Sequence, residues 1–205
     1  MTIEPLTPER RRQQTRDHLL EAAARVFGER GYHGASLDDI AAAAGFTKGA
    51  VYSNFKSKED LFLALLESRF ASELEDLKAL LDGSEVGPAY RLPDFVTLVV
   101  DQPNDPARVT WGTLYEEFHL YARRSPEAQA RLAELDRRDV ASVAAILRTE
   151  RERLNLDPAT SPEDAARITL ALTRGIAMMQ ATDPDAIDER FLESMLEFLA
   201  RALTT

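Results

Sequence analysis

Apolar residues recur along this chain at intervals of three and four positions, which is the spacing of amphipathic α-helices. No segment shows the alternation of apolar and polar residues that predicts a β-strand. One long pattern runs from Lys58 to about Asp82 and predicts a single long helix. A short helix is predicted near Asp94–Val100, in a stretch interrupted by Gly and Pro. Four later segments also carry helical patterns: residues 107–124, 126–154, 162–182 and 185–203.

The stretch between Ser36 and Lys56 predicts two short helices joined by a tight turn. Gly45 follows the first helix where a residue must adopt positive φ, and Thr47 is placed to cap the second helix. The apolar residues of the first helix share one face: Leu37, Ile40, Ala41 and Ala44. The outward face of the second helix is polar and basic. This arrangement is typical of a helix-turn-helix, whose second helix enters the major groove of DNA.

Residues at the start and on the outward face of the second helix are candidates for DNA contact. We expect Lys48, Ser53 and Asn54 to reach base edges, because Lys favours guanine and Asn favours adenine. Four others are expected mainly to bind phosphates: Thr47, Tyr52, Lys56 and Lys58. Gly49, which allows a close backbone approach, and Ser36, which caps the first helix, complete the predicted DNA-binding set. On this interpretation Lys48→Ala changes the preferred DNA sequence, whereas Lys58→Ala weakens binding to all sequences and flattens the salt dependence.

Charge is divided unevenly along the 205 residues, whose formal net charge is −10. Residues 1–58 hold nine Lys or Arg against seven Asp or Glu, and the remainder holds 16 against 28. Because DNA affinity depends on local neutralisation of phosphates, an acidic C-terminal part is compatible with a DNA-binding N-terminal part. Residues 1–15 are predicted to form a flexible basic arm, in which Arg10, Arg11 and Arg12 precede the first helix. This arm either reaches the DNA backbone or minor groove, or is a solvated tail.

Five runs of residues carry a resemblance to a known family: Leu20–Phe27, Arg30–Tyr32, Ser36–Ala41, Gly45–Tyr52 and Phe55–Leu61. Through them, the segment Arg16–Phe70 resembles the DNA-binding domain of the tetracycline-repressor (TetR) family of bacterial transcription regulators. One departure is Ser53–Asn54, which occupies positions where the family often carries Tyr or His. This departure concerns the operator sequence and leaves the expected fold unchanged.

The resemblance implies an all-α fold of about nine helices in two parts. Residues 16–60 would form a three-helix helix-turn-helix head, joined by the long helix to a ligand-binding and dimerisation domain in residues 61–205. The implied function is that of a sequence-specific repressor, whose binding to a palindrome-like operator on double-stranded DNA is relieved by a small-molecule effector. The alternative is a DNA-binding regulator without an effector, controlled by a protein partner or by its own abundance.

The last two predicted helices carry more apolar surface than packing against one core requires, which indicates a homodimer. Helix-turn-helix proteins commonly bind palindromes as two-fold dimers. The alternative is that both helices belong to the core of the chain itself. The predicted dimer interface comprises Ile168, Leu172, Ile176, Phe191, Leu192, Met195, Leu196, Phe198 and Leu199.

Aromatic and methionine residues in the C-terminal part are candidates for a small-molecule pocket, which needs apolar walls and a few polar groups. The predicted pocket residues are Trp111, Tyr115, Phe118, His119, Met178, Met179 and Gln180. Their composition favours an apolar or aromatic effector. The alternative is that the aromatic stripe is ordinary core.

Several classes of function find no support in the sequence. The chain has no cysteine, no run of about 18 apolar residues and no apolar signal segment, so we expect a cytoplasmic protein with no membrane partner. Its three histidines lack metal-ligand spacing, and neither a Gly-x-Ser-x-Gly nor a Gly-rich phosphate loop is present. We assign the acidic pairs Asp38–Asp39 and Glu116–Glu117 to helix caps or solvated faces. We therefore expect no enzyme activity, no metal and no cofactor.

Overall fold

The computed structural model describes residues 7–83, 106–154 and 160–183, together with isolated positions between 185 and 195. Within these ranges all regular secondary structure is α-helical, which confirms the predicted all-α class. The helices are α1 (Pro8–Gly34), α2 (Leu37–Ala44), α3 (Lys48–Asn54), α4 (Lys58–Gly83), α5 (Pro106–Ala122), α6 (Pro126–Leu154) and α7 (Pro162–Thr182).

The helices α4 to α7 begin and end within about two residues of their predicted boundaries. Pro106, Pro126 and Pro162 are the first residues of α5, α6 and α7. Proline is favoured there because its missing N–H would have no partner within the helix. The short helix predicted at 94–100 lies outside the described residues, as does most of the helix predicted at 185–203.

The first helix begins earlier than predicted. Residues 8–15 belong to α1, so they are helical and do not form the flexible arm expected from the sequence. The Thr7 hydroxyl caps the helix by accepting a hydrogen bond from the Arg10 N–H at 3.3 Å, and Pro8 occupies the first helical turn. Arg10, Arg11 and Arg12 therefore lie on the first turns of α1.

The helix-turn-helix consists of α2 and α3, and its caps are those predicted. The Ser36 hydroxyl accepts from the Asp39 N–H, and the Asp39 carboxylate accepts from the Ser36 N–H, each at 3.1 Å. Gly45 ends α2 with a φ of 71°, in the left-handed region that favours glycine. Thr47 begins α3 by accepting a hydrogen bond from the Ala50 N–H at 3.2 Å.

The chain divides into two compact units, and the division differs from the predicted boundary near residue 60. The N-terminal unit comprises Met1–Arg69 and Leu114–Arg131, and the C-terminal unit comprises Phe70–Thr113 and Leu132–Thr205. The second part of α5 and the start of α6 thus belong with the helix-turn-helix. The large buried side chains of the N-terminal unit are Leu19, Phe27, Ile40, Val51, Phe55, Leu61, Phe62 and Phe118.

The core of the C-terminal unit is built on small residues. Val143 and Ala144 of α6 pack with the fully buried Ala166 of α7. Larger apolar side chains pack around this contact: Phe70, Leu74, Val140, Leu147 and Leu170. Small residues at a helix contact allow two helices to approach closely, and the larger ones fill the space beside them.

Candidate nucleic-acid interface

The exposed face of α3 carries most of the residues predicted to contact DNA. Val51 within the helix and Phe55 just after it are at most 1% exposed, so they anchor this segment to the core, whereas Tyr52 is 57% exposed. The other predicted residues at and around α3 are also exposed, except for the half-buried Asn54: Thr47, Lys48, Gly49, Ser53 and Lys56. A Cβ on Gly49 would meet nothing nearer than the Thr47 hydroxyl at 3.7 Å, so its packing in the described structure does not require glycine.

Two of the side chains expected to contact bases are hydrogen-bonded to the backbone of their own helix. The Ser53 hydroxyl and the Asn54 amide both donate to the Ala50 carbonyl, at 2.9 and 2.8 Å. These donors would have to leave that carbonyl before they could bind a base. The amide oxygen of Asn54 is an acceptor and is not used in this bond.

Lys48, the first residue of α3, binds Asp38 on α2. Its ammonium donates a hydrogen bond to the Asp38 carboxylate, and both side chains are more than half exposed. The hydrogen bond to Asp38 and the charge of that carboxylate raise the pKa of Lys48. The lysine therefore remains a cation at the leading end of the helix.

Ser36 acts as a capping residue. Its hydroxyl lies 2.5 Å from the Asp39 carboxylate as well as accepting the Asp39 N–H. The Ser36 hydrogen bond lowers the pKa of Asp39, and Arg30, whose guanidinium is 2.7 Å away, lowers it further. Asp39 thus belongs to the cap of α2, while its neighbour Asp38 does not.

Two arginines of α1 hold the end of α3, a role that the sequence did not reveal. Arg12 donates to the Ser53 carbonyl at 3.4 Å, and Arg16 donates to the Asn54 carbonyl at 3.3 Å. The Arg16 guanidinium also lies over the Phe55 ring, 4.4 Å from its centroid. Cations are favourable at a helix C-terminus, where carbonyl groups lack partners within the helix. The four-residue spacing of Arg12 and Arg16 was a signal that they share one face of α1.

Lys58 does not have the free ammonium expected of a phosphate ligand. Its ammonium donates to the carbonyls of Tyr32 and Ala35, at 2.7 and 3.0 Å, and lies 3.4 Å from the His33 carbonyl. It also lies 4.7 Å from the centroid of the Tyr32 ring. Burial lowers the pKa of Lys58. These contacts make it a cap for the end of α1.

A carboxylate from α5 binds the same corner of the chain. The Glu117 side chain accepts a hydrogen bond from the Tyr32 N–H at 2.6 Å. The preceding residue, Gly31, interrupts α1 with a φ of 69°, and a Cβ there would lie 2.9 Å from the Glu117 carboxylate oxygens. The assignment of Glu117 from the sequence to a helix cap or a solvated face is therefore corrected. Its partner lies 85 residues away along the chain, beyond the reach of a local sequence pattern.

The start of α4 is also tied to α5 and α6. Arg131 binds Asp60 at 2.5 Å and lies 3.6 Å from Glu59, which accepts a hydrogen bond from the Tyr121 hydroxyl at 3.1 Å. Burial alone would raise the pKa of Asp60, but the Lys56 N–H and the Arg131 guanidinium outweigh it and lower the pKa. The Lys56 N–H donates to Asp60 at 3.0 Å, so this carboxylate fixes the backbone directly after the helix-turn-helix.

The predicted pocket residues of the N-terminal unit include one that is ordinary core. Phe118 is fully buried and stacks on Phe62 with a centroid distance of 4.7 Å, so its prediction as a pocket wall is corrected. Tyr115 and His119 are half-buried, and their rings lie 4.4 Å apart.

The remaining pocket candidates belong to the C-terminal unit. Trp111 is half-buried, whereas Met178 and Met179 are exposed. Gln180 is buried, and its amide nitrogen has no hydrogen-bond partner in the described part of the chain. The seven candidates are thus divided between two units.

The predicted dimer residues fall into three groups. Ile168 and Phe191 are exposed, and Leu172 is half-buried. Ile176 and Met195 are buried within the chain, so they are core residues and offer little area to a partner. The others lie outside the described residues: Leu192, Leu196, Phe198 and Leu199.

The described ranges contain neither a candidate membrane span nor a candidate metal site. No helix in them has the length and apolar character needed to cross a membrane. No three potential metal ligands among their His, Asp and Glu side chains come together.

Comparison with known proteins agrees with this architecture. Residues 19–65 match the family model for bacterial regulatory proteins of the tetR family. The transcriptional repressor AcnR of Corynebacterium efficiens is 31% identical over 191 residues, which cover 93% of this chain and 82% of AcnR. The chain belongs to the tetR family, which confirms the resemblance found in its sequence.

One further relative matches part of the chain in sequence, and one solved structure matches most of it in fold. The transcriptional repressor DhaR of Mycobacterium sp. (strain GP1) is 34% identical over 90 residues, and the match covers 44% of this chain and less than half of DhaR, 46%. The solved structure of FadR from Bacillus subtilis in complex with stearoyl-CoA has a TM-score of 0.67 and 18% identity, covering 91% of this chain and 98% of FadR. At that identity the likeness to FadR concerns the fold.

Proposed function

We propose that this protein is a DNA-binding transcriptional repressor whose α3 enters the major groove of its operator. The observation that carries this proposal is the geometry of α3, which exposes Lys48 and Tyr52 above a fully buried Val51. AcnR and DhaR are both named as transcriptional repressors, which supports the same function. The chain therefore acts by binding and not by catalysis.

The contacts within the N-terminal unit refine the set of DNA-binding residues. Base contacts are assigned to Lys48, Ser53 and Asn54, and phosphate contacts to three exposed groups: Thr47, Tyr52 and Lys56. Lys58 is reassigned to the structure of the unit, because backbone carbonyls hold its ammonium. Arg12 is added as a residue that positions the end of α3.

A homodimer would present two copies of α3 to a palindrome-like operator. The support for it is an exposed apolar stripe on α7, where Ile168, Gly175 and Met179 recur at steps of seven and four residues. In the described structure a Cβ on Gly175 would meet nothing within 4 Å, so the described residues leave this surface open. An open apolar stripe on a soluble protein is typical of an interface, and a two-fold axis would pair it with itself.

A small, largely apolar effector would relieve operator binding. Gln180 supports this part of the proposal, because its buried amide nitrogen has no hydrogen-bond partner among the described residues. An unsatisfied buried donor costs about 1–3 kcal/mol, and a ligand with an acceptor group would remove that cost. FadR, which shares the fold, holds an acyl-CoA in its complex. The second candidate is a regulator without an effector, and it is favoured by the burial of Phe118 in ordinary core.

Selection of DNA by the purified protein tests these proposals together. Fragmented genomic DNA of the source organism is incubated with the protein, and the bound fragments are sequenced, without and with a panel of metabolites and drugs. One palindrome-like motif that is lost with one compound supports the effector-controlled repressor. A motif that no compound disturbs supports the second candidate. Absence of any enriched motif overturns the DNA-binding proposal.

A further inference from the structure

Asp38 has a partner that helix capping does not explain. Asp39 completes the capping box with Ser36 and also binds Arg30. Asp38 lies beside it in the first turn of α2, but its carboxylate binds the ammonium of Lys48 across the turn of the helix-turn-helix. The cap of α2 is therefore complete without Asp38.

The pair restricts how the lysine can be used. Lys48 is 67% exposed and Asp38 52% exposed, so neither is held by burial. An unpaired lysine is a flexible point charge that any phosphate can attract. Bound to Asp38, the Lys48 ammonium has one of its three protons committed and is kept near the leading end of α3. Two protons remain for acceptors in front of the helix.

We propose that Asp38 is a specificity-determining residue of the DNA-binding site, an inference that rests on the proposed function. Asp38 holds the Lys48 ammonium so that its remaining protons face base acceptors in the major groove, of the kind that guanine presents at O6 and N7. The same carboxylate repels phosphates, which weakens complexes held together by phosphate contacts alone. Asp38 therefore raises the ratio of operator binding to non-specific binding through both effects.

Asp38→Asn tests this role, because it keeps the size of the side chain and removes its charge. Dissociation constants are measured for the selected operator and for a scrambled duplex of equal length, at several salt concentrations. We expect non-specific binding to strengthen, operator binding not to strengthen with it, and the ratio to fall by about tenfold. Asp17→Asn, at an exposed carboxylate of α1, is the matched control and should leave the ratio unchanged.

A second pair of variants, made in the Lys48→Ala background, separates the positioning of the Lys48 ammonium from the repulsion of phosphates by the Asp38 charge. There the additional Asp38→Asn change should lower the ratio by less than it does in the wild-type background, because only the repulsion of phosphates is lost and no ammonium remains to be held. A ratio that Asp38→Asn preserves in the wild-type background overturns the proposal, and so does a fall of equal size with and without Lys48. If the unaltered protein does not distinguish operator from scrambled DNA, the proposed function itself is wrong, so the two failures are distinguishable.

Discussion

Gly31 and Gly45 both have positive φ, but their surroundings differ. Gly31 combines a φ of 69° with a ψ of 170°, a region that other residues rarely adopt, and the Glu117 carboxylate oxygens would lie 2.9 Å from a Cβ at this position. Gly45 is in the ordinary left-handed region, and in the described structure its Cβ would have open space. Gly31 is therefore required both by its backbone conformation and by the nearby Glu117 carboxylate, whereas Gly45 is required by its backbone conformation alone.

Replacing each glycine by alanine should show this difference. Gly31→Ala is expected to lower the free energy of unfolding by about 3 kcal/mol, because it adds backbone strain and displaces Glu117 from the Tyr32 N–H. Gly45→Ala is expected to cost about 1 kcal/mol, from strain alone. Urea denaturation at pH 7 measures both values, and equal losses would show that the contact with Glu117 contributes nothing.

Lys58 should behave as a structural residue. Lys58→Met is expected to lower the free energy of unfolding by about 1.5–3 kcal/mol, because charged hydrogen bonds to the Tyr32 and Ala35 carbonyls are lost. Its effect on the salt dependence of DNA binding should be small. The exposed Lys56 provides the control, since Lys56→Ala should keep stability and reduce the salt slope by about one. If Lys58→Met instead reduced the salt slope and left stability unchanged, Lys58 would be a phosphate ligand after all.

At the scale of elements, Asp60 joins the start of α4 to α6 and to the exit of the helix-turn-helix. Arg131 and the Lys56 N–H bind the same carboxylate, and together with Arg16 they hold its pKa below the ordinary value in spite of burial. Because the folded-state pKa lies below the unfolded one, the ionised group stabilises the fold above about pH 4. That contribution disappears as the pH falls through the folded-state pKa.

Arg131→Gln should therefore destabilise the protein in a pH-dependent manner. At pH 7 we expect a loss of about 1 kcal/mol, a modest value because the arginine is partly exposed. The difference from the wild type should shrink as the pH is lowered and Asp60 becomes protonated. Arg137→Gln, which breaks a more exposed pair with Glu134, should cost less at neutral pH. Urea titrations between pH 7 and about pH 2 provide the measurement, because the lowered pKa of Asp60 places its protonation below about pH 4. A difference independent of pH would exclude Asp60 as the relevant partner.

At the scale of the whole molecule, the exposed face of α7 should decide the oligomeric state. Ile168→Glu would place a charge and its symmetry mate in an apolar interface, so we expect a monomer with greatly weakened operator binding. Leu120→Glu is the control, because Leu120 on α5 is 62% exposed and was not predicted to be in the interface. Analytical ultracentrifugation measures the mass of each variant. A dimeric Ile168→Glu protein would place the interface elsewhere.

Prediction from sequence succeeded where the residues that determine a structural feature lie close together along the chain. The boundaries of α2 and α3 follow from Ser36, Gly45 and Thr47, whose effects extend over a few residues of backbone. The start of α1 was missed although its cause is equally local. Proline both interrupts helices and begins them, and the pattern around Pro8 did not distinguish the two.

The sequence by itself determined the helical class, the helix-turn-helix and the residues that its second helix exposes, because periodicity and capping act between near neighbours. Tertiary structure alone decided the partners of those charged and aromatic side chains whose contacts lie far away along the chain. Lys58 caps a helix that ends more than 20 residues earlier, and Glu117 binds a backbone N–H 85 residues away. Phe118 lies in the core and not in a pocket wall, because a helical repeat shows which residues share a face and not what that face contacts.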